Sequence, residues 1–311
     1  LQAAVQGREV IHTLPIDFTV DDTDGVSDPR GHLCETLKAR LHIIDAATTA
    51  LLNLETVLAR TELKVEALVS SPLASGLSVL DADERELGTT VVDMGGGTTS
   101  LAVFGDSQIL HTAQIAVGGL HVTRDIARGL STSLENAERL KTVYGSADLS
   151  TDVEDELLTV ELLGNDVPHF EQISRAQLGR IIRPRMEETL ELVREKLDGA
   201  GLGMAASGRI VLTGGGSLLD GIRPLAERIL GAPVSVGRLS GAAFTRSVRL
   251  GRPKHIINLP ENTAAAAGFA TAAGLLFWAA SAERPFGDIE FRENPPSGFL
   301  RKLVAFIRER V

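Results

Sequence analysis

Three consecutive glycines follow a short apolar run in VVDMGGGTTSLAVF (residues 91–104), and the pattern returns in IVLTGGGSLLDGI (residues 210–222). Glycine gives up more conformational entropy on folding than any other residue, so three in a row inside ordered structure need a compensating gain. An ordinary turn is one reason to place them there. Close approach of backbone N–H groups to a bulky anion, most often a phosphate, is another. For one run taken alone the two readings stand level. Two such sites far apart in one chain favour the second, because distant loops close on one nucleotide from different sides.

The surroundings narrow the choice. GTTVVD reads as a strand, GGGT as a turn and SLAVF as a second strand; after a tight turn at Gly105 and Asp106, SQILHTAQIAV continues as a third. The first site is therefore a hairpin. A dinucleotide fingerprint needs G-x-G-x-x-G opening a helix, and a Walker A loop needs Gly-Lys-Ser/Thr; neither is present. The second site follows the strand GRIVLT and is predicted to open a helix, LLDGIRPLAERIL. A helix N-terminus behind a glycine loop offers unpaired N–H groups and a positive dipole end.

Elsewhere, REVIHTLPIDFTV reads as strand with Pro15 at a bend, KARLHIIDA as another strand, and TTALLNLETVLARTEL as a helix capped by Thr48. VEALVSSPLASGLSVL passes from strand to a small-residue helix, and ADEREL is a solvated connection. LHVTRDIARGL and STSLENAERLKTVYG form two helices, the second starting behind residues 131–133. The acidic stretch STDVEDELLTVELLGNDVPH lacks the patterns of the flanking core, and residues 174–198 read as two amphipathic helical segments. Thr263 begins TAAAAGFATAAGLLFWAA, whose alanine and glycine content suits a buried helix better than a membrane span.

With 311 residues, 43% hydrophobic and 23% charged, the composition is that of a globular chain of about two domains. A net charge of −10 argues against a nucleic-acid binder, whose footprint is basic. The single cysteine, Cys34, has no disulfide partner in the chain and no metal-ligand company; it reads as a small buried hydrophobe in a reducing compartment. No signal peptide opens the chain. It starts at Leu1, mid-pattern, so a missing N-terminus is expected.

These residues resemble the actin-like ATPase superfamily. VVDMGGGTTSLAVF looks like its second phosphate motif, IVLTGGGS like its adenosine motif, ENAERLKTVYG like the helix facing ribose and base, and ENTAAAAGFATAAGLL like the second connecting helix. Within the superfamily, REVIHTLPIDFTV with KARLHII, and LASGLSVLDADERELGTTVVD, resemble the bacterial cell-division FtsA family, as does a short amphipathic tail. The resemblance implies an α/β, actin-like ATPase fold, RNase H-like sheets with flanking helices, carrying an FtsA-type extra subdomain 1C. The division it implies is residues 1–70 as the remnant of subdomain 1C, and 71–88 with 255–280 as lobe 1 pieces holding the connecting helices. Lobe 2, the nucleotide-binding core, takes 89–145 and 205–254; an insertion subdomain takes 146–204, a linker 281–297, and a membrane-targeting helix 298–311. Two departures stand out. The superfamily's N-terminal phosphate hairpin, of Asp-x-Gly-Thr type, is absent, and LVSSPLASG has no Glu or Gln where hydrolytic relatives polarise a water.

In this frame Gly95, Gly96 and Gly97 offer N–H groups to the terminal phosphates of ATP, and Thr98 adds a hydroxyl. Asp93 holds Mg²⁺ through water or caps the turn, the two standing level. Gly214, Gly215, Gly216 and Ser217 meet the α-phosphate and adenosine, while Gly118 and Gly119 let another turn approach. Glu138 and Lys141, three apart on one helix, read as a surface ion pair by spacing; the resemblance makes them ribose and base contacts. His111, His121 and His169 show no ligand spacing, and no Ser/His/Asp arrangement stands out.

The tail GFLRKLVAFIRERV follows a spacer containing Pro295, Pro296 and Gly298. On a helical wheel Phe299, Leu300, Leu303, Phe306 and Ile307 share a broad apolar face, with Arg301, Lys302 and Arg308 opposite. It is too short to span a bilayer and suits lying in the interface of an anionic membrane. The resemblance implies an ATP-binding adaptor, at most a weak ATPase, which tethers the FtsZ ring to the cytoplasmic face of the bacterial inner membrane at the division site. Its implied partners are the FtsZ C-terminal tail, later division proteins through subdomain 1C, and further copies of itself in filaments. Arg175, Arg180, Arg183 and Arg185 are the candidate face for the FtsZ tail. The alternative is another member of the superfamily: a sugar kinase, a chaperone ATPase or a rod-shape protein.

Overall fold

A computed structural model of the chain describes residues 6–148, 156–164, 169–202, 208–231, 246–256, 265–281 and 285–287. The chain opens with an antiparallel sheet of three strands in the order β2-β1-β3, where β1 is Arg8–Val20, β2 Thr23–Val26 and β3 Leu37–Ala47. Pro15 sits beside a register shift between β1 and β3, where a residue without an N–H does least harm to the ladder. Helix α1 (Thr48–Ala59) follows, with Thr48 as its first helical residue; the cap position belongs to Ala47, and no side chain caps the end. No residue of α1 is buried.

The stretch from Val65, predicted to open as strand, is irregular up to residue 70, and α2 (Ser71–Val79) begins behind it with Pro72 in its first turn. The ADEREL stretch is no solvated loop. It is a one-turn helix, α3 (Ala82–Glu86), closed by an Asp81/Glu84 capping box. Glu84 is buried, and its carboxylate receives Arg209 at 2.9 Å and Arg249 at 2.6 Å.

The central sheet has five strands in the order β10-β9-β4-β5-β6. They are β4 (Thr89–Met94), β5 (Thr99–Gly105), β6 (Gln108–Ile115), β9 (Arg209–Thr213) and β10 (Val248–Leu250). β10, β9 and β4 run parallel, whereas β4, β5 and β6 form the antiparallel meander read from the sequence. Both faces are covered, because alternate residues of a strand point to opposite sides. Val92, Met94, Leu101, Val103 and Leu212 join one apolar cluster, while Val91, Ala102, Phe104 and Val211 join the other with Leu14, Leu73, Val79 and Ala270.

Helices α4 (Gly119–Gly129), α5 (Leu134–Tyr144), α6 (Arg175–Gly199) and α7 (Ile222–Leu230) supply much of the first cluster. The second is supplied by α2 and α8 (Ala270–Ala280). The acidic stretch does hold core pattern: Leu158 and Val160 are buried from β7 (Leu157–Leu162), which pairs with β8 (His169–Ser174). Its net acidity hid a clean alternation. The two segments predicted over 174–198 are one 25-residue helix that runs through Pro184, started by a Ser174/Gln177 capping box. A continuous stripe (Leu178, Ile182, Met186, Leu190, Val193 and Leu197) outweighs the one donor that proline removes.

Two further expectations change. Helix α8 is only partly buried, with Leu275 and Leu276 facing solvent. Cys34 is exposed. Beyond α8, Phe286 packs on Phe104 at a centroid distance of 5.6 Å. The tail residues Phe299, Leu300, Arg301, Lys302, Leu303, Phe306, Ile307 and Arg308 lie outside the described residues.

Candidate functional site

Strands β4 and β9 are parallel neighbours, with Asp93 opposite Thr213, so both glycine turns leave the same edge of the sheet side by side. Ligands of open α/β sheets gather at such carboxyl ends. The first turn closes with Gly95 N–H donating to the Thr98 carbonyl at 2.9 Å. Its outer carbonyls then receive the start of α4: Gly119 N–H donates to Gly95 at 3.0 Å and Leu120 N–H to Gly96 at 2.8 Å. The second turn is a 3-10 segment (Gly215–Leu218), and α7 starts only after Gly221, whose φ of 70° is left-handed. The predicted direct opening of a helix by the glycines is thereby corrected: the N-terminus of α7 sits one turn further on.

The glycines fall into two groups. At Gly118 a Cβ would lie 2.6 Å from the Gly95 carbonyl oxygen; at Gly214 it would lie 2.4 Å from Asp93 Oδ1, and at Gly216 2.9 Å from Met94 Cβ. These glycines let backbone meet backbone. Gly97 and Gly215 would meet nothing within 4 Å, and Gly96 only Leu120 at an ordinary 3.8 Å. All three are exposed. The N–H groups of Gly96, Gly97, Gly215 and Gly216 find no acceptor among the described residues. Open space lined by unclaimed donors fits the oxygens of a phosphate chain.

Around this edge, Thr98 is half-buried, and Ser217 is buried with its hydroxyl donating back to the Gly214 carbonyl at 2.8 Å. Glu138 and Lys141 stand on α5 beside Gly118–Gly119. The Lys141 ammonium donates to Glu138 at 2.7 Å, Thr123 at 2.9 Å and the Gly119 carbonyl at 3.1 Å. Burial pushes the Glu138 carboxyl up, but the hydrogen bonds from Lys141 and Thr123 outweigh it and hold it below the usual range. A cleft of about 300 Å³ opens next to the second turn, lined in part by Ser217, Leu219, Gly221, Arg252 and Ala267.

Asp93 is buried, and its Oδ2 accepts from Ser75 of α2 at 2.6 Å and from Thr271 of α8 at 2.8 Å. Sequence reading missed both hydroxyls: each lies in a stretch read as a connecting helix, and the second contact joins residues 178 apart. Among the described residues no three His, Cys, Asp or Glu side chains could hold a metal by themselves. Of the candidate arginines, three are paired within the fold: Arg175 with Glu156 at 3.3 Å, Arg183 with Glu187 at 2.9 Å and Arg185 with Asp125 at 2.6 Å. Arg180 is exposed. His111 lies near His42, and His121 Nδ1 accepts the Gly118 N–H at 3.2 Å.

The model of the family "Cell division protein FtsA" matches residues 90–274, and that of "SHS2 domain inserted in FTSA" matches residues 1–45. The FtsA of Agrobacterium fabrum is 41% identical over 278 residues, covering 89% of this chain and 59% of the relative. The FtsA of Rhizobium meliloti is 42% identical over 274 residues, covering 87% and 58%. The FtsA of Escherichia coli K12 is 32% identical over 311 residues, covering 97% and 70%. The chain thus spans 59% of the length of the Agrobacterium relative. Among solved structures, the PilM–PilN type IV pilus biogenesis complex matches with TM-score 0.59 and 19% identity, over 86% of this chain and 67% of that one. MreB5 of Spiroplasma citri bound to ADP matches with TM-score 0.54 and 17% identity, over 75% and 65%. These two carry the fold alone: the mixed α/β sheet is of the actin-like kind.

Proposed function

The chain belongs to the FtsA family of cell-division proteins, and on that premise we propose that it is the ATP-binding part of an adaptor tethering the FtsZ ring to the cytoplasmic membrane. The observation that carries the nucleotide half is the set of unclaimed N–H groups at Gly96, Gly97, Gly215 and Gly216 around open space. Gly96 and Gly97, in the turn that Gly95 closes and with the Thr98 hydroxyl, take the terminal phosphates; Gly215 and Gly216, with Gly214 and Ser217, take the inner phosphate and adenosine. Glu138 and Lys141 face ribose and base, and Gly118 and Gly119 let that helix approach. ATP supplies charge that orders these loops, and Mg²⁺ supplies the counter-charge near Asp93. With no Glu or Gln in LVSSPLASG to polarise a water, nucleotide acts as a conformational and assembly cofactor. Gly96→Val and Gly215→Val test the site cleanly, since neither added side chain meets the fold closely. Both should keep the wild-type melting temperature and lose ATP binding in a titration of the full-length protein. Unchanged affinity in both overturns the site.

The membrane half rests on the tail. Burying Phe299, Leu300, Leu303, Phe306 and Ile307 contributes about 1–2 kcal/mol for each large side chain. Arg301, Lys302 and Arg308 add roughly 1 kcal/mol each near anionic lipid. Phe306→Glu should abolish co-sedimentation with anionic liposomes without moving the melting temperature; a wild-type protein left in the supernatant ends the tether reading. For the FtsZ tail, an acidic and apolar peptide, Arg180 is the exposed member of the candidate arginines and its first contact. Subdomain 1C, within residues 1–70, is the face offered to later division proteins, and copies of the chain associate into filaments.

A further inference from the structure

Asp93 is the next-to-last residue of β4, with Met94 between it and the first glycine turn; its carboxylate is directed into the molecule and 8% of the residue is exposed. Its Oδ2 accepts from Ser75 Oγ at 2.6 Å and Thr271 Oγ1 at 2.8 Å, and those two hydroxyl oxygens are themselves 2.9 Å apart. Three short oxygen–oxygen contacts thus share two protons, since each hydroxyl carries one and the carboxylate none. With both protons on Oδ2, the Ser75–Thr271 contact holds two lone-pair faces against each other. Turning one hydroxyl toward its neighbour satisfies that contact and leaves Oδ2 with a single donor. The triangle has three arrangements with the same number of hydrogen bonds: both hydroxyls on Oδ2, or either one turned to the other.

The triangle also sits where movement is least free. Helices α2 and α8 cross in backbone contact: a Cβ on Gly274 would lie 1.7 Å from the Ala74 carbonyl oxygen. Ser75 follows Ala74 directly, and Thr271 is one turn before Gly274. On the other side, Asp93 Oδ1 borders the second glycine turn at Gly214. One carboxylate therefore touches both connecting helices and the phosphate edge.

We propose that Ser75 and Thr271 are positioning residues for Asp93, and that this triad relays occupation of the glycine turns to the crossing of α2 and α8. The inference rests on the nucleotide reading above. With phosphates and a divalent cation bound at the turns, the Asp93 carboxylate would turn outward and its Oδ2 would give up one of the two hydroxyls. The released hydroxyl pairs with its neighbour, and the two helices re-seat around a Ser75–Thr271 bond. No proton leaves either hydroxyl. A different role, a polar plug that merely satisfies a buried carboxylate, predicts a change in stability and nothing else.

The test compares hydrogen exchange in residues 71–79 and 270–280 of the full-length protein with and without Mg–ATP, alongside Mg–ATP affinity. In the wild type, Mg–ATP should alter exchange in both helices. Ser75→Ala and Thr271→Val should each erase that response and, having no second hydroxyl to release, should bind Mg–ATP at least as tightly as the wild type, by up to roughly tenfold, the scale of one hydrogen bond to a charged group. Thr271→Ser, which keeps the hydroxyl, should restore both. Variants that bind Mg–ATP and show the wild-type exchange response, whatever their melting temperature, overturn the inference. Should Thr271→Val fail to fold, Ser75→Ala on the other helix carries the same comparison. A wild type that binds no Mg–ATP brings down the nucleotide reading itself, and the relay with it; that failure is visible before any variant is made.

Discussion

The two glycine turns look alike in sequence and are held in opposite ways. The first, Gly95–Gly96–Gly97, is held from outside: its carbonyls receive the N-terminus of α4, and the glycine that permits this is Gly118, over twenty residues away. The second is held from within. Gly214 adopts a left-handed φ of 81° and, with Gly216, lies directly on the backbone and side chains of Asp93 and Met94. A triplet of glycines is thus not one signal. Some of its members serve packing between two pieces of backbone, and others keep space open for whatever the turn addresses.

The largest expected effect follows at Gly214. Gly214→Val meets a side-chain oxygen at 2.4 Å and backbone at 2.7 Å, in a conformation that L residues rarely adopt. Strain of this kind costs about 1–3 kcal/mol for the backbone alone, and the collision adds to it. The melting temperature should fall steeply, or soluble protein should be lost, where Gly215→Val one residue later changes neither. Equal melting temperatures for the two neighbours would dissolve the distinction.

Gly118→Ala comes next. Its Cβ would press on the Gly95 carbonyl at 2.6 Å and the Gly96 carbonyl at 2.7 Å, so α4 must retreat and its hydrogen bonds to the first turn lengthen. A loss of about 1–2 kcal/mol is expected in a denaturant melt, together with faster hydrogen exchange at Gly119 and Leu120. Gly97→Ala, on the turn itself, should show neither. If the turn variant proves the more disruptive, the first turn is held by its own glycines after all.

This contrast also marks what the sequence could disclose. The strands around both turns were legible, because VVDM, SLAVF and IVLT are apolar runs closed by glycine and buried on both faces. The placement of Glu138 beside Lys141 was legible from spacing of three on a helix. Division of the glycines into packing and open positions was not, since it depends on what stands opposite each Cα. The hydroxyls on Asp93 and the arginines on Glu84 were likewise invisible, being contacts between residues far apart in the chain. Acidity misled twice: it hid the alternation of β7, and it made the buried Glu84 look like part of a solvated loop.

The smallest effect concerns the outer edges of the sheet on either side of the turns, and acid separates them. On the first turn's side, β6 meets β3 through His42, whose ring nitrogen lies 2.9 Å from the Thr112 hydroxyl. Burial, with His111 adding repulsion, pushes His42 down to about 4, and burial with the charge of Lys196 lowers His111 as well. The unfolded chain therefore binds a proton at His42 that the folded one refuses. Stability at this edge is full above about pH 6.5 and drains as pH falls toward 4, by on the order of 1 kcal/mol at pH 5. On the second turn's side, Glu84 clamps the starts of β9 and β10 through Arg209 and Arg249. Burial raises the Glu84 carboxyl, but those hydrogen bonds outweigh it and hold it at about 2. Its contribution is present above about pH 4.5 and is lost only as pH falls through about 2. Hydrogen exchange at pH 7 and pH 5, corrected for intrinsic rates, should show β3 and β6 loosening while β9 and β10 stay protected. Replacing His42 with Gln should remove the difference at β6 and leave β9 unchanged. Loosening of both edges together at pH 5 would mean that the sheet yields as one unit, and that the two turns share a single anchorage despite being held so differently.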